Sequence, residues 1–421
     1  MQRVSARPTL FPGNPRRKVR CLLVIARRLG ILDWIRVGLL VAGILCVLTG
    51  LLPKAQAEDN LWRIAPLLLF LGSVIVLAKL ARQAQVFDVI AVKLAIVGRG
   101  NYLPLFAFCV LFACLTTMFL NLDTTAVLLT PVMLALAPKA RIAALPLAMT
   151  TLWLANTASL LLPVSNLTNL LAADRVALTA PAFMARLWLP QLAAIAVTMV
   201  FLWVCYWRRG ARGADRYLPP PPLRLEAPRQ RALFGVAVAA CLLFIVAIPF
   251  VREQIAYAAT AAAVIVVVAF AVLDRSALRL DLIPWQLLVF VAGLFLVVPT
   301  LSRYGLSEIM IALIGTDHSA VAMYRTATAG AGLSNVLNNL PAYTAGEAVI
   351  PAGNRDQLLA LLIGTNVGPI VTPWASLATL LCLESCRDHG LRVPLGRFML
   401  TGLGLAVVAL GASVSALLLS G

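Results

Sequence analysis

The feature that most limits the fold of this chain is a series of apolar stretches, near 36–53, 63–80, 142–173, 186–207, 232–250, 255–273, 283–301, 357–383 and 395–419. As a helix, about 20 apolar residues cross the hydrocarbon core of a bilayer. Lipid offers the backbone no hydrogen bonds, so each crossing must satisfy its own peptide groups, and a helix does so. Nine candidate crossings predict an all-α polytopic membrane protein. Composition points the same way, with 61% hydrophobic and only 12% charged residues. A soluble chain so poor in charge could not cover its own surface.

Two further apolar stretches, 103–138 and 319–351, are interrupted by polar residues at their middle. Lys79, Arg82, Lys93 and Arg99 precede the first against a single Asp88, and Lys139 and Arg141 follow it. By the positive-inside rule both flanks lie in the cytoplasm. The segment is therefore expected to be a re-entrant hairpin whose tip is buried in protein or lines a wet cavity.

The net charge of +18 would suggest nucleic acid in a soluble protein. Here the charge sits in short polar segments between apolar runs, so no nucleic-acid partner is expected. The first 32 residues carry eight Lys or Arg and no acid, and 208–231 carries seven Arg against Asp215 and Glu226. Both should face the cytoplasm. Residues 1–35 read as a basic N-terminal tail rather than a cleavable signal, because no short apolar core with a small-residue cleavage site follows at once. The Arg16-Arg17 pair lacks a twin-arginine context. The cysteines, among them Cys109, Cys114, Cys382 and Cys386, read as small apolar packers.

The chain repeats itself. Asn156 precedes Pro163 by seven residues, as Asn366 precedes Pro373, at a constant offset of 210. Each repeat reads as two spans, a surface helix, a hairpin, a broken span and a last span. The expected organisation is a first repeat over 36–207, a basic Pro-rich linker over 208–231, a connecting span over 232–254 and a second repeat over 255–421. Four crossings per repeat plus one connecting span make the repeats inverted, a pattern common in secondary transporters.

Four polar clusters fall at membrane depth. The first hairpin tip carries Asn121, Asp123, Thr124 and Thr125, and the second carries Ser334, Asn335, Asn338 and Asn339. The first broken span carries Asn156, Ser165, Asn166 and Asn169, and the second carries Asn366, Thr372 and Ser376. Pro163 and Pro373 remove helix donors and free carbonyls. Half-helix N-termini then attract anions, and unwound carbonyls coordinate cations. Asp123 is the sharpest candidate, because an ionisable group inside a membrane is costly and functional by default. Desolvation favours its neutral form, which suits a proton carrier. Glu347 is expected to snorkel toward the outer surface. His318 and His389 are expected in solvated loops. No HExxH zinc pattern and no phosphate-cradling loop occurs, so neither a cofactor nor direct ATP drive by this chain is expected.

These motifs resemble the ion transporter superfamily, and most of all its arsenical pump (arsenite permease) branch, related to dicarboxylate/citrate carriers and sodium/proton antiporters. The resemblance rests on Phe119 to Pro131, on Leu337-Asn338-Asn339-Leu340-Pro341, on Ala155 to Leu160 with Ser165 to Asn169, and on Gly364 to Pro369 with Thr372-Pro373 and Ser376 to Leu380. It runs from about residue 36 to the C-terminus. The chain departs from that branch at Leu122, where Asn is frequent, and at Asn156 and Asn366, where Asp is frequent. Asp123 is left as the main ionisable candidate. The resemblance implies an elevator-like transport domain, a scaffold that dimerises, and a multi-pass cell-membrane protein with a cytoplasmic N-terminus. It also leaves open a cytoplasmic ATPase partner.

The leading expectation is a secondary transporter, not an enzyme, performing proton-coupled efflux of arsenite or antimonite. Uncharged metalloid hydroxide suits a site of amides and hydroxyls without Arg or Lys. The alternatives are sodium- or proton-coupled carriage of a di- or tricarboxylate, and cation/proton antiport.

Overall fold

The computed structural model describes residues 31–420 apart from 209–211, 213–214, 249, 251–253, 316–318 and 352. The basic tail over 1–30 and His318 therefore lie outside the described residues. Among these, every regular element is helical.

The helices are α1 (Ile31–Leu48), α2 (Lys54–Gln83), α3 (Val86–Val97), α4 (Tyr102–Leu120), α5 (Leu122–Ala140), α6 (Ala144–Thr157), α7 (Leu167–Arg175), α8 (Ala180–Leu202) and α9 (Pro228–Ala247). They continue as α10 (Ile255–Leu273), α11 (Trp285–Leu301), α12 (Ser307–Ile314), α13 (Ala320–Val336), α14 (Asn339–Glu347), α15 (Arg355–Val367), α16 (Leu377–Asp388) and α17 (Leu395–Leu419). With α9 set aside, α1 to α8 and α10 to α17 run through the same order of long, short, paired and interrupted helices.

Among the described residues, eight helices are long and apolar enough to cross a membrane, including both arms of the α4–α5 hairpin. Each of those arms has 19 residues, or about 28 Å of helix, close to the thickness of the hydrocarbon core. The apolar stretches at 142–173 and 357–383 behave differently. Each is split into two helices, none longer than the 14 residues of α6. No single helix crosses there; each stretch needs both its halves and the break between them.

The packing between halves comes in exchanged pairs. α1 packs on α11 as α10 packs on α2, and α5 packs on α16 as α14 packs on α7. Elements at corresponding positions also meet directly, namely α6 with α15 and α8 with α17. Two helix groups result. α1, α2, α9, α10 and α11 pack on one another, and the hairpins, interrupted helices, α8 and α17 form the second group. Contact between the groups runs mainly from α2 to α4, α5 and α7, and from α11 to α14. Outward faces such as Leu243, Val246, Val268, Val272, Leu400 and Val407 are exposed apolar surface, which suits lipid as the solvent.

Candidate functional site

The centre of the second group is built from the two breaks, residues 158–166 and 368–376. Pro163 and Pro373 sit inside them, and a proline offers no N–H to continue a helix. Each chain then restarts on a polar cap. The Asn166 side chain accepts from the Thr168 N–H at 3.3 Å, and the Ser376 hydroxyl accepts from the Thr379 N–H at 3.0 Å. Asn166 and Ser376 are again 210 residues apart, and both are buried. Such caps satisfy one of the orphan donors at a helix start.

The remaining irregular backbone is bonded inside the protein, as a non-aqueous setting demands. Asn169 donates its amide to the carbonyls of Ser159 at 2.6 Å and Leu162 at 2.8 Å. Gln191, on α8, accepts from the N–H of Leu160 at 2.7 Å and donates to the Thr157 carbonyl at 2.8 Å. In the second break Asn335, on α13, has the matching task. It donates to the Gly368 carbonyl at 2.8 Å and accepts from the N–H groups of Val371 and Thr372 at 3.2 and 3.0 Å. The Thr372 hydroxyl donates to the Asn335 carbonyl at 2.8 Å.

Side chains then tie one break to the other. Asn156 donates to the Thr379 hydroxyl at 3.2 Å, and Asn366 donates to Asn169 Oδ1 at 2.6 Å. Donors 156 and 366 and acceptors 169 and 379 stand at the same 210 spacing, so each half reaches into the other by the same route. Asn366 Oδ1 also accepts from Asn166 Nδ2 at 3.0 Å and from the Thr168 hydroxyl at 2.7 Å. The Ser376 and Thr379 hydroxyls lie 2.9 Å apart. The structure thus brings Asn156, Asn166, Asn169, Asn366 and Ser376 into one buried network. Thr168, Thr379 and Gln191 belong to it and were not among the candidates. The constant offset pairs Asn169 with Thr379, and a glutamine inside an apolar span was a visible signal.

The hairpin tips meet these breaks. Asn121 and Asn338 turn the chain at φ of +74° and +141°, a region that glycine enters freely and that costs other residues about 1–3 kcal/mol. Both also cap the returning arm. Asn121 Oδ1 accepts from the Thr124 N–H at 3.0 Å, and Asn338 Oδ1 accepts from the Leu340 N–H at 3.4 Å. The second tip is sewn to its break by the Asn338 amide on the Trp374 carbonyl and by the Asn339 N–H on the Ala375 carbonyl at 2.8 Å. The first is held through Ser165, whose hydroxyl donates to the Met118 carbonyl at 2.9 Å. Thr125 bonds to Thr117 and to the Asn121 carbonyl. Ser334 stands apart, because its hydroxyl donates to Gly330 within α13.

Asp123 is half-buried in the first turn of α5. It makes no hydrogen bond or ion pair among the described residues, and the charge of Arg36 in α1 acts on it. Two buried polar atoms near these tips and breaks have no protein partner among the described residues, Thr124 Oγ1 and Asn156 Oδ1. A hydroxyl donor or a cation would satisfy either. Glu347 does not snorkel. It is buried at the end of α14 and forms a 3.0 Å ion pair with Arg63 of α2, which also lies 3.4 Å from Asp174. The pairing partner lies 284 residues away in sequence, which no local pattern shows. His389 is exposed beside the Ser385 carbonyl.

A family model described as citrate transporter matches residues 22–357. The chain belongs to this family. It is a multi-pass membrane transporter of the ion transporter superfamily, not an enzyme. It is 30% identical over 370 residues to the arsenical pump membrane protein of Escherichia coli strain K12, spanning 82% of this chain and 84% of that one. It is 23% identical over 349 residues to the putative arsenical pump membrane protein of Bacillus subtilis strain 168, spanning 74% and 78%. The fold is similar to that of the Alcanivorax borkumensis YdaH transporter, with a TM-score of 0.51, 16% identity and 86% of each chain covered. As a member of this transporter family, the chain takes a lipid bilayer and a small solute as its partners.

Proposed function

We propose that the chain performs proton-coupled efflux of arsenite or antimonite across the cell membrane. The observation that carries this reading is the chemistry of the centre. Every hydrogen bond joining the two breaks comes from an Asn, Ser or Thr, and none from Arg or Lys. Neutral amides and hydroxyls match the hydroxyls of an uncharged metalloid acid. The unpaired acceptor Asn156 Oδ1 would take such a hydroxyl, and Asp123 would carry the proton. The names of the relatives in Escherichia coli and Bacillus subtilis support this choice of solute.

The same reading makes the two halves inverted repeats, divided as 36–207 and 255–421. The hairpins and interrupted helices would move as one body against the α1–α2–α9–α10–α11 group. It places the N-terminus and the basic linker in the cytoplasm, with a homodimeric scaffold. A cytoplasmic ATPase would be revealed by ATP-dependent transport that vanishes without the second protein.

A second reading, sodium- or proton-coupled carriage of a di- or tricarboxylate, is favoured by one feature. The N-termini of α7 and α17's neighbour α16 both open into the breaks, and helix N-termini stabilise anions. The family description supports the same solute class.

Everted vesicles separate the two. Arsenite accumulation that collapses with a protonophore and with Asp123→Asn is the expected result. No accumulation above empty vesicles overturns the metalloid assignment, and a carboxylate panel with and without sodium then tests the second reading.

A further inference from the structure

Away from the polar centre, a strap formed by linker residues 212 and 215–218 meets the open end of the α4–α5 hairpin. Tyr217 is buried, and its hydroxyl donates to the Ala95 carbonyl at 2.6 Å. The Tyr217 N–H bonds to the Gly100 carbonyl and the Leu218 N–H to the Ala140 carbonyl. The Ala143 N–H bonds in turn to the Arg212 carbonyl. This strap joins the end of α3, both feet of the hairpin and the approach to α6.

Between the strap, α4 and α8 lies an open cavity of about 930 Å³, lined by Arg208, Arg212, Arg216, Asp215, Tyr102 and Trp203 among others. Three guanidiniums face one carboxylate. Arg212 is held in place, stacked 4.3 Å over the Tyr102 ring and donating to the Trp207 carbonyl at 3.2 Å. Arg208 and Arg216 make no hydrogen bond or ion pair among the described residues. Guanidinium forks bind phosphate in a bidentate, directional way.

We propose that this cavity binds the phosphate of an anionic phospholipid headgroup. The surroundings favour a lipid over a free phosphate ester. Leu103 in the cavity wall and Val200, one turn from Trp203, are 65% and 60% exposed. An acyl chain would cover them. Trp203 and Tyr102 stand where interfacial aromatics are enriched, at the ends of apolar helices. A headgroup held here would fasten the strap, and with it the foot of the hairpin that carries Asp123.

The test uses the purified full-length chain in neutral detergent, and Arg208→Gln/Arg216→Gln, which removes two charges without breaking a described contact. Native mass spectrometry would titrate phosphatidylglycerol, phosphatidylcholine and water-soluble glycerol phosphate against both proteins. Phosphatidylglycerol should bind in preference to phosphatidylcholine. The double variant should weaken it on the order of 30-fold, from the contribution typical of two basic residues at an anionic surface. Equal binding of both lipids, or an unchanged affinity in the double variant, overturns the site. Glycerol phosphate binding as tightly as phosphatidylglycerol replaces the lipid with a free anion and overturns the proposal as stated.

Discussion

Asn156 and Asn366 occupy corresponding positions, yet the structure gives them unequal work. Asn366 makes three short bonds to the opposite half, at 2.6, 2.7 and 3.0 Å. Asn156 makes one, to Thr379 at 3.2 Å; its other bond stays within α6 at 3.2 Å, to the Leu152 carbonyl. Interhelical hydrogen bonds in membrane proteins average about 0.6 kcal/mol, and leaving a buried partner unsatisfied raises the cost to about 1–3 kcal/mol. Asn366→Ala strands Asn169 Oδ1, Asn166 Nδ2 and the Thr168 hydroxyl together, for a loss of about 2–4 kcal/mol. Asn156→Ala deprives only the Thr379 hydroxyl, which keeps Ser376 at 2.9 Å, for a loss of about 1 kcal/mol or less. Asn156→Ala also removes the unpaired Oδ1, so it should abolish transport while barely touching the fold. Steric-trapping measurements of unfolding free energy, run beside vesicle uptake, give both quantities for each variant. Equal destabilisation by the two alanines would refute the reasoning, because it would mean that the bonds to Asn366 carry no more than the single one to Thr379.

The Arg63–Glu347 pair should respond unequally to its two truncations. Arg63→Ala leaves the Glu347 carboxylate buried and unpaired and should cost about 2 kcal/mol, below the fully buried limit because the arginine side chain is 40% exposed. Glu347→Gln should cost less, since Arg63 retains Asp174 and water, and adding it to Arg63→Ala should recover stability in a double-mutant cycle; no recovery would mean that the pair is not coupled. Close packing of α13 on α15 makes a second contrast. A Cβ at Gly364 would come within 2.2 Å of the Ala327 carbonyl oxygen, whereas one at Gly332 meets nothing within 4 Å. Gly364→Ala should therefore lower folded yield sharply, by the overpacking cost of about 1–3 kcal/mol or more. Gly332→Ala should be neutral or slightly stabilising from helix propensity. Matching behaviour of the two in fluorescence-detected size exclusion would show that the helices can separate freely.

Much of the architecture was legible because membrane helices must satisfy their own backbone. Apolar length located α2, α8, α9, α10, α11 and α17, and proline with asparagine located the breaks. Asn121 and Asn338 were visible as polar interruptions, and both turn out to hold the chain at positive φ while capping the arm that follows. The candidate polar residues were legible as types suited to hydrogen bonding at depth. Their division of labour was not. Ser334 looks like its neighbours in sequence but spends its hydroxyl on its own helix. Asn335 closes the second break while its amide also donates to the Ala331 carbonyl of its own helix at 2.8 Å.

What the sequence left hidden is pairing between distant elements, and the reason is geometric. A span presents several faces, and which one meets a partner depends on how the helices rotate as they pack. Gln191 could have faced lipid or protein; it faces the first break and satisfies two of its N–H groups and the Thr157 carbonyl at the end of α6. Glu347 could have reached water; α14 instead turns it toward α2, and burial then requires the arginine found there. The 210-residue offset is the exception that could have been used further. Applied to Asn169 as well as to Asn156, it nominates Thr379, and the two reciprocal bonds at the centre then follow from the register of the repeat together with the direct packing of the interrupted helices.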